Sequence, residues 1–353
     1  MDYSEIKKHL QNWTEIVQRY QTPSSRKAVI QILTSFLPFL GLWVLMYLSL
    51  SWSYWITLGL GLLNGFFLVR IFIIQHDCGH QSFFKSRRWN NAVGYVCSFF
   101  SAIPYKYWAR SHNFHHAHAG QLEHREIGDI SVLTVKEYEA LSPWGKFRYR
   151  LYRSAPVMFV LGPMYYLLVP LRLPLVRLRG WERAHVSQLV NNVLLVALYV
   201  SLGALLGWKE FFAVQLTVIA IFAVIAIWFF YVQHQHEETY KAWKENWEYL
   251  LAAIKGSTYY KLPRVFQWLT GNIGFHHIHH LSSLIPNYNL EWCARENPIL
   301  NRYVTVLTFR SSLKCIFNHL WDEERQQMIS FREFNRRRRL VRRALISQRA
   351  RRA

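Results

Sequence analysis

Twelve of the 16 histidines in this 353-residue chain fall into four short clusters. His76 and His80 lie four residues apart. His112, His115 and His116 follow an HxxHH spacing, and His276, His279 and His280 repeat it. On a helix, residues three and four apart share one face with Cβ atoms about 6 Å apart, so each box can aim its imidazoles at a common point. Neutral imidazole is the commonest side-chain metal ligand. Eight box histidines exceed the roughly four ligands of one zinc ion and suit two transition-metal ions. Imidazole serves Fe, Zn, Cu and Ni alike, so ligand type leaves the metal open. His234, in the run YVQH at 231–234, is a candidate ninth ligand. His277 turns away from the face of its neighbours, and His118 and His236 fit no HxxHH face, so these three read as supporting or solvated residues. His9, His124, His185 and His319 read as ordinary core or surface histidines.

The elements that must position these boxes are apolar. Residues 29–50 and 55–74 are two runs joined by a four-residue link, and 189–206 and 211–232 form a second pair joined at 207–210. Each is long enough to cross about 30 Å of hydrocarbon at about 1.5 Å per residue. His76 follows the second run by two residues, and His234 follows the fourth by two. The two short links hold Lys209 as their only basic residue, whereas the N-terminus, the central segment and the C-terminus are rich in Lys and Arg. By the positive-inside rule both hairpins open to the cytosol. Arg70 stands four residues before the end of the second run and reads as a side chain snorkelling to the headgroups.

Composition agrees. The chain is 52% hydrophobic and 16% aromatic with only 18% charged residues, and its net charge is +21. That excludes a disordered chain, a collagen, a coiled coil and a small disulfide scaffold. Cys78, Cys97, Cys293 and Cys315 form no CxxC pair, so reduced thiols are expected. Residues 1–28 lack the apolar stretch and cleavage site of a signal peptide and are expected to remain as a cytosolic N-terminal segment. The expected fold class is an all-α integral membrane protein, with four transmembrane helices in two hairpins and a cytosolic helical cap carrying the boxes. No strand is expected, since no alternating run is bounded by turn signals. If all boxes meet at one centre, the chain crosses the membrane an even number of times between them. The shorter apolar stretches 92–105 and 156–171 must then be interfacial or buried.

The three boxes resemble, in order, spacing and placement after spans, the signature of the membrane fatty acid desaturase family. Beyond them, QHDCGHQSFFK at 75–85, GDISVLTVKEY at 128–138, YVQH at 231–234 and GNIGFHHIHHLSSLIPNY at 271–288 are similar to bacillary acyl-lipid desaturases that act on membrane phospholipids. The resemblance covers roughly residues 25–335. It implies a non-haem diiron centre that uses O2 and two electrons to turn a saturated acyl chain into a cis alkene and two waters. It implies that His76, His80, His112, His115, His116, His276, His279 and His280 are iron ligands, with His234 as the extra one. Asn272, four residues before His276 and expected on its helical face, is a candidate partner behind the ligands. Asp77 and Asp129 are candidates to orient imidazole N–H groups, or else helix caps. The bacillary relatives imply insertion at delta-5, and the family implies an acidic ferredoxin or flavodoxin as electron donor, drawn to a basic face. No GxGxxG and no haem CxxCH would let the chain supply its own electrons.

Residues 29–330 are then the membrane desaturase domain, and 331–353 are a tail with ten arginines, including Arg336–Arg339, Arg342, Arg343, Arg351 and Arg352. Such a tail suits anionic lipid headgroups of the cell membrane; no recognition fold supports nucleic-acid binding. The rival enzyme is a membrane diiron hydroxylase or ketolase. A membrane metal transporter or metal-binding protein is the rival from another class, and it would carry ionisable residues along its spans.

Overall fold

The computed structural model describes residues 3–176 and 178–350. Among the described residues four helices are long and apolar enough to cross a membrane: Ser25–Ser49, Tyr54–Gly79, Glu182–Leu206 and Trp208–His234. The first two begin at serine caps, where Ser24 accepts from Lys27 N–H and Ser53 from Trp55 N–H. Gly207, at φ +88°, makes the sharp turn between the last two. The second and fourth helices form the inner pair, with 50% and 44% of their apolar windows buried, against 22% and 17% for the first and third. Their contact is close at Gly65, where an added Cβ would stand 2.5 Å from Ile221 Cγ2.

The helices outrun the apolar windows read from sequence. The second continues through His76 to Gly79 and the fourth through His234, so both carry their first histidine on their final turn. Continuous helix therefore transmits the position of the inner pair directly to the boxes. The stretch expected to be interfacial at 92–105 lies mostly in the Arg87–Ser101 helix, which packs against the second span and returns the chain to the box helix Tyr105–His118. The stretch at 156–171 is a π-helical turn, Val157–Leu161, running into Gly162–Leu168.

Two expectations are corrected. Short strands do occur: Leu133–Thr134 pairs in parallel with Leu320–Asp322, which pairs antiparallel with Gln327–Ile329, and Thr258–Tyr260 runs parallel to Thr305–Leu307. At two or three residues each, and joining segments far apart in sequence, they leave no periodicity to read. Arg70 does not snorkel. It is buried, donates to the Trp268 carbonyl and stacks its guanidinium 3.9 Å from the Trp268 ring, so its guanidinium is held against the cap.

The cap is held to the spans by buried polar ties. Arg153, with 2% exposure, donates to the carbonyls of Ser131 and Asn318, to Tyr231 OH and to Gln235 Oε1. The N-terminal helices Ser4–His9 and Trp13–Gln18 pack with Tyr249–Ile254 and Asn287–Glu296 around the last box. The four cysteines are free and buried. The C-terminal segment forms one helix, Phe331–Ala350, anchored by Arg337 bonds to Glu333 and Asp322; Arg351 and Arg352 lie outside the described residues.

Candidate metal centre

Each box sits on the helix its spacing requires. His76 is on the last turn of the second span with His80 as its cap, the second box lies within Tyr105–His118, and His276–Leu281 begins at the first histidine of the third. All eight box histidines and His234 are buried, at 8% exposure or less. They converge as two sets. His76, His80, His112, His116 and His279 present ring nitrogens within 4.8 Å of one another, and so do His115, His234 and His280. His276 joins the second set, its Nε2 lying 2.9 Å from His234 Nε2 and 3.1 Å from His280 Nε2. The sets adjoin, with the His116 and His280 rings stacked at 4.2 Å.

The donor chemistry fits metal. In the first set His116 Nε2 is 3.1 Å from His112 Nε2 and 2.9 Å from His279 Nε2; in the second His115 Nε2 is 3.3 Å from His234 Nε2. Ligands about 2.0–2.1 Å from a shared ion lie about 2.8–3.0 Å apart at right angles and about 3.3–3.4 Å apart at the tetrahedral angle, which brackets these separations. His76 Nδ1 is 2.9 Å from Asp77 Oδ1, and His234 Nδ1 is 3.1 Å from the Gly256 carbonyl. A carbonyl only accepts, so His234 donates there and turns a lone pair toward the other Nε2 atoms. Converging lone pairs repel one another unless a cation lies between them. Burial, with the neighbouring imidazoles, holds His80, His112, His116, His276, His279 and His280 well below the usual imidazole value, so these rings are neutral near pH 7 and able to serve as ligands.

Behind the rings, Asp77 uses both carboxylate oxygens: Oδ1 faces His76, and Oδ2 accepts from Asn287 N–H at 2.6 Å and Asn287 Nδ2 at 2.8 Å. Asp129 accepts from Ile130 N–H and is brought beside the second box by Gly128, whose φ is +69° and whose added Cβ would stand 2.8 Å from Ser111 O. Burial would raise the Asp129 carboxyl, but Lys241, His115 and His234 hold it below the ordinary carboxylate value. Asn272 does not lie on the helical face of His276, because the helix starts only at His276. It has φ +57°, and its Nδ2 is 3.5 Å from the Asn287 carbonyl. His277 is buried rather than solvated and bonds Asn301 Oδ1 at 3.0 Å. His236 is also buried, while His118 bonds Phe114 O.

Asn287, the Gly256 carbonyl and Lys241 went unread in the sequence as parts of this centre. Asn287 lies within the 271–288 run, whereas a backbone carbonyl carries no residue signal at all.

The fatty acid desaturase profile matches residues 53–311, a stretch that contains every one of these histidines. The chain belongs to the fatty acid desaturase family. This desaturase is 45% identical over 319 residues to a fatty acid desaturase of Bacillus subtilis (strain 168), covering 90% of each chain. It is 27% identical over 283 residues to the sn-1 oleoyl-lipid 12-desaturase of Anabaena variabilis, covering 75% of this chain and 74% of that one. The sn-1 acyl-lipid omega-3 desaturase (ferredoxin) of Nostoc sp. (strain 36) is 26% identical over 285 residues, with 74% and 71% covered.

Proposed function

We propose that this protein uses O2 to convert saturated acyl chains of membrane phospholipids to cis-monounsaturated chains at the delta-5 position, with two irons held by nine of its histidines. The carrying observation is the convergence of nine buried imidazoles in two adjoining sets at one end of four apolar helices. His76, His80, His112, His116 and His279 would hold one iron, and His115, His234, His276 and His280 the other. Irons bound there would supply the O2 activation and C–H cleavage that no side chain can perform. The protein presents neutral nitrogen donors, fixes His76 through Asp77 and His234 through Gly256, and keeps the site buried. Asp129 offsets the charge of Lys241 next to His115.

The Lys- and Arg-rich segments support a cytosolic placement of both termini and the boxes in the cell membrane. Residues 1–28 form the N-terminal segment, 29–330 the desaturase domain and 331–353 the Arg-rich tail, whose charge suits anionic lipid headgroups. Ferredoxin or flavodoxin would deliver the electrons; the name of the Nostoc relative carries a ferredoxin, and a net charge of +21 favours an acidic donor. Support for delta-5 comes from the similarity to bacillary acyl-lipid enzymes.

The test is gas chromatography with mass spectrometry of lipids from a bacterium without unsaturated chains, expressing this protein or His279→Ala. New monoenes, lighter by two hydrogens and absent with the variant, are expected, and derivatisation places the bond. Products heavier by one oxygen would instead make the protein a hydroxylase.

A further inference from the structure

A cavity of about 260 Å³ lies where the first two spans meet the cap, and Lys27, Gln31, Arg70, Trp268, Asn287 and Tyr288 line it. Two of its polar side chains are buried and incompletely paired: Gln31, at 4% exposure, has no partner for Nε2, and Arg70, at 6%, has none for Nε. A guanidinium has five N–H donors, and an ionisable residue within a span marks a functional position by default. Lys27 stands on the first turn of the first span with its ammonium 2.9 Å from Asn289 Oδ1. Two cations and an amide donor around one cavity at the end of the spans select an anion with several oxygens.

The cavity is coupled to the metal centre. Asn287, in its wall, bonds Asp77, and Asp77 faces His76. Arg70 precedes His76 by six residues on one helix, about 9 Å of rise. The geometry points to this cavity as the site for the phosphodiester of the phospholipid substrate, with Arg70 and Lys27 as positioning residues that set how far along the acyl chain the centre acts. This rests on the acyl-lipid reading above.

Reach favours a phosphodiester over a carboxylate. An extended chain advances about 1.2 Å per bond, from the roughly 3.6 Å of a three-bond backbone repeat. Four bonds separate a carboxyl carbon from C5, about 5 Å, which is less than the helix rise of about 9 Å between Arg70 and His76. From the phosphorus of an sn-1 acyl phospholipid to C5 there are ten bonds, about 12 Å, enough to span the rise plus a sideways step to the rings. A lipid anchored here therefore presents carbons near its carboxyl end.

The test uses the full-length, iron-loaded protein in detergent with reduced ferredoxin and four saturated substrates: dipalmitoyl phosphatidylglycerol, dipalmitoylglycerol, palmitate and a palmitoyl thioester. KM and kcat are measured separately and the bond is located in each product. Phosphatidylglycerol should be preferred to dipalmitoylglycerol by about ten-fold or more, chiefly through KM, as one charge-assisted hydrogen bond would give. Arg70→Gln and Lys27→Gln should each lower that preference about ten-fold and spread the bond position. Arg70 also ties the cap, so Lys27→Gln, at an exposed position, keeps the test decisive if Arg70→Gln does not fold. A preference unchanged in a folded variant overturns the site. Palmitate use with the same sensitivity to both variants overturns the phosphodiester in favour of a carboxylate. Activity on acyl thioesters alone overturns the acyl-lipid reading, and the site with it, whereas lipid desaturation indifferent to phosphate overturns only the site.

Discussion

In the first histidine set, two pairs spaced four apart, His76 with His80 and His112 with His116, meet the single ring of His279; in the second, one such pair, His276 with His280, meets His115 and His234. Both HxxHH boxes thus divide their rings the same way. The outer two go to one set and the middle one crosses to the other. What differs is the contribution of the spans. The second span supplies a pair, while the fourth supplies His234 alone, and one turn before it stands Phe230, whose ring is 5.3 Å from those of His115 and His234. The supports differ too: a carboxylate faces His76, but only a backbone carbonyl faces His234. The first set has more donors and a carboxylate bonded directly to one of them; the second has Asp129 acting through charge alone and the apolar ring of Phe230 on one side.

Removing ligands should break this comparison most severely. His279→Ala and His234→Ala are both expected to abolish product. They should part company in metal content under mild chelation, because four donors remain in the first set of His279→Ala and three in the second set of His234→Ala. Iron in His234→Ala should fall to roughly one per chain, while His279→Ala keeps more. Equal iron loss in the two variants would show that the sets do not bind independently. Asp77→Asn comes next. It leaves His76 N–H or an Asn287 donor without its acceptor and should weaken iron binding about ten- to hundred-fold, as losses behind metal ligands do. Chelator competition measures this, with the first set expected to empty first. Phe230→His would supply the missing pair on the fourth span and should slow iron release from the second set by up to about ten-fold while lowering turnover.

The asymmetry was half legible in the sequence. Spacing named the eight box histidines and required their helices, because i, i+3 and i+4 positions share a face whatever the fold, whereas His234 was legible only from its place two residues after the fourth apolar run. The apolar runs located all four spans, since hydrocarbon imposes length and composition. How a box shares its rings between two sets depends on the angles at which three helices meet, and no local pattern records that. The same holds for Asn287, 210 positions from the Asp77 it bonds, and for Arg70, whose partner in the cap made snorkelling unnecessary. The expected helical placement of Asn272 fails for a local reason: Gly271 and Asn272 both adopt positive φ, at 55° and 57°, so the helix cannot extend back to them.

Acid should act on the cap in a smaller, graded way. Burial lowers His277 to about 4 from the ordinary 6.5. Below about pH 6.5 the unfolded chain therefore takes up a proton that the folded chain refuses, and stability present above that pH is lost as pH falls toward 4. At about 1.4 kcal/mol per pH unit, the His277 contribution between pH 6.5 and 5 is about 2 kcal/mol. Thermal unfolding of the iron-free protein at pH 7 and pH 5 checks it: His277→Gln, which cannot titrate, should lose less stability between the two than the native chain.

Asn272 should matter least to the metal and somewhat to the backbone, and the two effects can be separated. Its amide reaches toward the Asn287 carbonyl at 3.5 Å, at the edge of hydrogen-bond distance, and it is no part of either set. Asn272→Ala should leave iron retention within about two-fold, since so long a contact contributes little to holding Asn287 against Asp77. The left-handed conformation, however, costs a residue bearing Cβ about 1 kcal/mol, a cost Asn partly avoids and Gly escapes. Asn272→Ala should therefore lower the unfolding temperature while Asn272→Gly should not, with iron equal in both. If Asn272→Gly instead sheds iron as Asp77→Asn does, the amide supports the first set through Asn287, and the backing of that set extends one residue further than the carboxylate.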